Sequence, residues 1–198
     1  MTRIYWLVIA VGLAACGSDD IDSDEAARRA YLGLDPSIEK SLALGFAGFN
    51  SASSANISPQ MGAGTAAGSL VITGQVDQGS SDNKGMRLRV GMIDYTDGAI
   101  EIGDGETVDI IYDTSTDTAM QPALDLSLRN IPDGTLTGTL TGVYMMAGDL
   151  EGEATLNLTF TGLIRNDGTG KTVRMPGSTT VTGTATSGDG TYDVNITL

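Results

Sequence analysis

Between residues 135 and 161 apolar and polar side chains change places at nearly every step. Leu136, Leu140 and Tyr144 fall on one side and Thr135, Thr137, Thr139 and Thr141 on the other; Ala154, Leu156, Leu158 and Phe160 alternate in the same way with Thr155, Asn157, Thr159 and Thr161. A period of two with one apolar face suits a half-buried strand and is out of phase with a helix. The pattern returns elsewhere. Met86, Leu88, Val90 and Met92 alternate with Arg87, Arg89 and Gly91, and Leu124, Leu126 and Leu128 with Asp125, Ser127 and Arg129. Val108, Ile110 and Tyr112 share a face, and Tyr192, Val194, Ile196 and Leu198 close the chain.

Asp97-Gly98, Asp104-Gly105, Asp133-Gly134, Asp167-Gly168 and Asp189-Gly190 punctuate these runs, with Asn83-Lys84-Gly85 suited to a longer turn. Asp-Gly favours tight hairpins because their central positions need positive φ. The fold class that follows is all-β: an antiparallel meander of about eight strands. Such a sheet must close as a barrel or pack as a sandwich to bury its apolar face. The similar strings at 136–142 and 181–186 read as shared strand chemistry, because no fixed repeat spans the domain.

A helical segment at 24–49 precedes the strands. Asp22 with Glu25 fits a capping pair, Ala26, Ala27, Ala30 and Leu32 favour helix, and Gly33 is suited to stop it. Asp35-Pro36 suits a second start, followed by an apolar stripe of Ile38, Leu42, Phe46 and Phe49. The stripe predicts a helix of about 14 residues that covers the sheet. Residues 50–68, rich in Ser, Ala and Gly with Pro59, read as a linker loop, and 69–198 as the β-domain.

The first residues say where such a chain goes. Arg3 precedes an uncharged apolar run, Ile4 to Leu13, far short of the ~20 residues that span a bilayer. Leu13-Ala14-Ala15-Cys16 follows, and this order resembles the lipobox of bacterial lipoproteins. The resemblance covers residues 1 to about 20. It implies a signal peptide at 1–15, cleavage after Ala15, and a diacylglyceryl group and an N-terminal acyl chain such as palmitate on Cys16. Two or three acyl chains make attachment stable where one does not. Residues 16–23, small and acidic, then form the lipidated end and tether. Gly17, not Asp, follows the cysteine, which within that family points to the outer membrane of a Gram-negative cell.

Composition narrows the chemistry. The full chain carries a formal charge of −14, and loss of the leader with its one charge, Arg3, takes it to −15. So acidic a body repels nucleic acid and anionic headgroups. There is no histidine, and Cys16 is the only cysteine. The commonest general base and transition-metal ligand are therefore missing, and no thiolate remains once Cys16 is lipidated. No Gly-x-Ser-x-Gly or Ser-x-x-Lys motif stands in for them. A transmembrane barrel is opposed by the want of aromatic girdles, since the only Trp, Trp6, leaves with the signal.

The expected function is a non-catalytic envelope lipoprotein, with no cofactor, held to the membrane through Cys16 and meeting an envelope protein partner. The alternatives are a lipocalin-like carrier of a small apolar ligand, or a Ca²⁺-binding module. For the metal, Asp97, Glu101, Asp104 and Glu106 in the densest acidic stretch are the candidates. Read as turn residues and solvated strand faces, the same four carboxylates need no metal.

Overall fold

The structure is a computed structural model, and residues 20–198 are the ones described. The lipobox and Cys16 lie outside them. In chain order the elements are α1 (Asp24–Ser51), β1 (Asn56–Ala63), β2 (Ala67–Val76), β3 (Lys84–Thr96), β4 (Ile100–Gly103), β5 (Glu106–Val108) and β6 (Ile110–Asp113). A 3-10 turn at Thr118–Met120 leads to β7 (Ala123–Arg129), β8 (Gly134–Gly148), β9 (Gly152–Asn166), β10 (Thr172–Arg174), β11 (Thr180–Ser187) and β12 (Gly190–Thr197).

Ten strands form one antiparallel sheet, and β4 and β5 form a separate hairpin. The ten occupy eight lanes, because two lanes are interrupted. β6 and β7 both lie between β3 and β8: Tyr112 pairs with Tyr95 and Met146, and Leu124 pairs with Leu88 and Leu140. The excursion at 114–122 breaks that lane. β10 and β11 share the lane beside β9 in the same way, Arg174 opposite Ile164 and Thr180 opposite Thr161. The lane order is thus a meander, as the alternation and turn residues imply. At Asp104-Gly105 both residues take positive φ, 53° and 77°, and close the β4–β5 hairpin as expected of that pair.

β1 and β12 stand at the two ends of the lane order and are not paired with each other. α1 packs against both, and also against β2, β3, β6 and β10. The sheet is therefore curled around the helix, which bridges its edges. Inward residues of the strands, from Leu70 and Ile72 to Val194 and Ile196, pack with Ala27, Tyr31, Leu34, Ile38 and Leu42 of α1 into one core. Each fully buried Leu or Ile contributes roughly 1.5–3 kcal/mol. The threonine faces of β8 and β9 stay in solvent.

Three expectations are corrected. First, α1 is one helix of 28 residues. Ser23, not Asp22, is its N-cap, the hydroxyl accepting from the Ala26 amide at 3.2 Å. The helix runs through Gly33 and Pro36 because its buried face is continuous from Ala26 to Gly48, and packing outweighs local propensity. Second, part of the 50–68 stretch is strand. β1 buries only Ile57, so no alternation marks it, and Pro59 is tolerated on an edge strand where the register shifts between Ile57 and Gln60. Third, Lys84 and Gly85 are not turn residues but the start of β3, and Lys84 is buried.

The molecule has two poles. The chain enters at Asp20–Ile21, where the Ser187 hydroxyl donates to the Ile21 carbonyl (2.6 Å) and the Asp193 amide to Asp24 (2.8 Å). From there α1 runs about 42 Å at 1.5 Å per residue. Its last turns reach the other pole, among the β2–β3, β7–β8 and β9–β10 connections. Among the described residues no helix is long and apolar enough to cross a membrane.

Candidate binding groove

The concave face of the sheet is occupied by α1. A recess lies at the far pole, at the end of the apolar stripe of α1. Ile38 and Leu42 are buried, but Phe46 and Phe49 of the same stripe are only partly covered. With Leu44, Ile131 and Val173 they wall a half-open groove of about 610 Å³.

Two ammonium groups border this apolar wall. The chain has three lysines, Lys40, Lys84 and Lys171, and the last two line the groove. Lys84 is only 7% exposed. Its Nζ donates to the Gly79 carbonyl at 2.6 Å and sits 4.6 Å from the centroid of the Phe49 ring, a cation–π distance. Among the described residues no carboxylate lies within ion-pair distance of Lys84 or Lys171. Among the described residues Asp82 is the one carboxylate in the lining, which itself carries one net positive charge on a strongly acidic protein; Asp77 and Asp167 lie just outside it, near Lys84 and Lys171 respectively.

The other charged clusters are committed to the fold. Arg174 of β10 ties to Asp35 and Glu39 of α1. Lys40 pairs with Asp97, which also accepts from the Tyr95 hydroxyl (2.6 Å) and the Thr65 amide (2.7 Å). Burial pushes the Asp97 carboxyl up, but the hydrogen bonds from Lys40, Tyr95 and Thr65 outweigh it and hold it below the usual carboxylate range. Asp77 is lowered chiefly by Arg87.

The four calcium candidates are dispersed among these roles. Asp97 is bound to Lys40, Glu106 accepts from Arg29 at 2.7 Å, Glu101 is exposed on β4, and Asp104 sits in the β4–β5 turn. Among the described residues no three carboxylate, His or Cys side chains gather into a group that could hold a metal ion.

Nothing in the sequence patterns pointed to Lys84 and Lys171 as partners. They are 87 residues apart in the chain, and Asn83-Lys84-Gly85 has the composition of a turn. The usable signals were the scarcity of lysine and the two Phe at the end of the stripe. No protein-family model, curated protein or solved structure matches this chain.

Proposed function

We propose that the chain is a non-catalytic lipoprotein of the cell envelope, anchored through lipidated Cys16 to the outer membrane of a Gram-negative cell, with its β-domain displayed as an interaction or binding module. One observation about the folded body supports this reading: its entry point and its groove are at opposite poles. Cys16 is four residues before Asp20, a reach of at most ~14 Å. A lipid there would hold the entry pole at the bilayer and turn the groove away from it, α1 spanning about 42 Å between them.

The test is the state of Cys16 in the native host. The expected result is an N-terminal peptide beginning at Cys16 with the mass of a diacylglyceryl group and an acyl chain, and release of the Cys16→Ser protein from membranes. A soluble wild-type protein with a free thiol at Cys16 would end the reading.

A further inference from the structure

We infer that the groove at the C-terminal end of α1 binds a free, single-chain fatty carboxylate, its hydrocarbon chain against Phe46, Phe49, Ile131 and Val173 and its carboxylate between Lys84 and Lys171. The inference concerns what the domain carries. It does not depend on whether Cys16 is lipidated.

Shape and charge argue for this occupant together. A volume of about 610 Å³ falls within the roughly 300–1,000 Å³ of small-molecule sites. That favours one chain over a two-tailed lipid. An apolar wall alone would accept any hydrocarbon, but this one ends at two ammonium groups. Lys84 is held in place by the Gly79 carbonyl and the Phe49 ring, with no carboxylate paired to it among the described residues. A compact ammonium attracts an anionic head as a point charge. Lys171 is exposed and lines the same groove. Elsewhere the surface is predominantly acidic, so a fatty anion is repelled from most of the protein and attracted here. Asp82, on the same rim, weakens the attraction and leaves one net positive charge in the lining.

The buried core lies between Ile21 and Ile196, so the chain from residue 16, with Cys16→Ser, retains all of it without detergent. Decanoate, decanol and decyltrimethylammonium are titrated against a dansyl-undecanoate reporter below their aggregation concentrations. The expected result is saturable reporter binding, displaced by decanoate at least tenfold better than by decanol and not by the cation. Lys171→Glu, at an exposed position, should weaken decanoate about tenfold. Ala47→Trp, also exposed but in the lining, should abolish binding with the fold unchanged by circular dichroism. No saturable binding, equal displacement by the three amphiphiles, or full binding by the Ala47→Trp protein would each overturn the assignment.

Discussion

Nη1 and Nη2 of Arg174 each lie 2.8 Å from a different carboxylate oxygen of Asp35, across 139 residues of chain. Nε of the same guanidinium donates to Glu39 at 2.9 Å, and the Tyr31 hydroxyl donates to Asp35 at 2.6 Å. Burial alone would favour a neutral Arg174, but Asp35 outweighs it and holds the guanidinium charged. Burial, then Asp35, pushes the Tyr31 hydroxyl well above its ordinary value. This network fastens the three-residue β10 to the middle of α1, where the helix contains Pro36.

Arg174→Ala should therefore cost about 3 kcal/mol, toward the low end for breaking a buried pair because water reaches part of this one. The side chain of Arg174 is 11% exposed and that of Glu39 35%. Arg174→Lys should recover less than half, since one ammonium cannot engage both Asp35 oxygens and Glu39 together. Urea unfolding midpoints of the three proteins decide it, and an unshifted midpoint for Arg174→Ala would refute the role.

Gly33 is mid-helix, where Ala is ordinarily better by about 1 kcal/mol. Here a Cβ would stand 2.7 Å from the Tyr112 hydroxyl oxygen. Tyr112 is fully buried and cannot retreat, and its hydroxyl donates to the Ala30 carbonyl at 2.7 Å. Gly33→Ala should destabilise by a net ~1–2 kcal/mol, overpacking exceeding the gain in propensity. A rise in Tm would show that the helix can shift away from β6.

The alternating faces of β3, β7, β8 and β9 were legible because each strand buries one face and wets the other. Leu136, Leu140 and Tyr144 are indeed inside, and their threonine neighbours outside. β1 was not legible, since an edge strand with one buried residue has no pattern to read. The continuity of α1 was hidden for a different reason. Gly33 and Pro36 are local stop signals, and what overrides them is distant: Tyr112 against the glycine and Arg174 against Asp35. The groove was hidden likewise, because Lys84 and Lys171 come to line one recess only once β3 and the segment before β10 are set beside the end of α1.

Tyr112 and Tyr144 make a second contrast. Their rings meet edge to face at 6.2 Å and both are buried, yet among the described residues the Tyr144 hydroxyl has no hydrogen-bond partner while that of Tyr112 has one. An unsatisfied buried hydroxyl costs about 1–3 kcal/mol, whereas a satisfied one contributes about 1 kcal/mol net. Tyr144→Phe should thus be neutral or stabilising, by up to about 1 kcal/mol, and Tyr112→Phe should cost about 1 kcal/mol. Thermal or urea unfolding of the two variants shows a loss for Tyr112→Phe alone if the difference in partners is real, and equal losses if it is not.

Asp97 gives the pH dependence a direction. Its carboxylate is held below the usual range by Lys40, Tyr95 and Thr65 against the opposing effect of burial. A depressed folded value means that the stabilisation is fully present above the unfolded value near ~3.9 and is lost as pH falls through the folded one. Asp97→Asn keeps the shape and removes the charge, so at pH 7 it should cost about 2 kcal/mol, the scale of a hydrogen bond to a charged group. The gap between wild type and Asp97→Asn should stay constant from pH 7 to about pH 5 and close progressively below about pH 4, as the wild-type carboxyl takes up its proton. Urea midpoints measured from pH 7 to pH 2.5 follow that gap directly. A gap unchanged at pH 2.5 would mean that the asparagine destabilises by shape and not by charge.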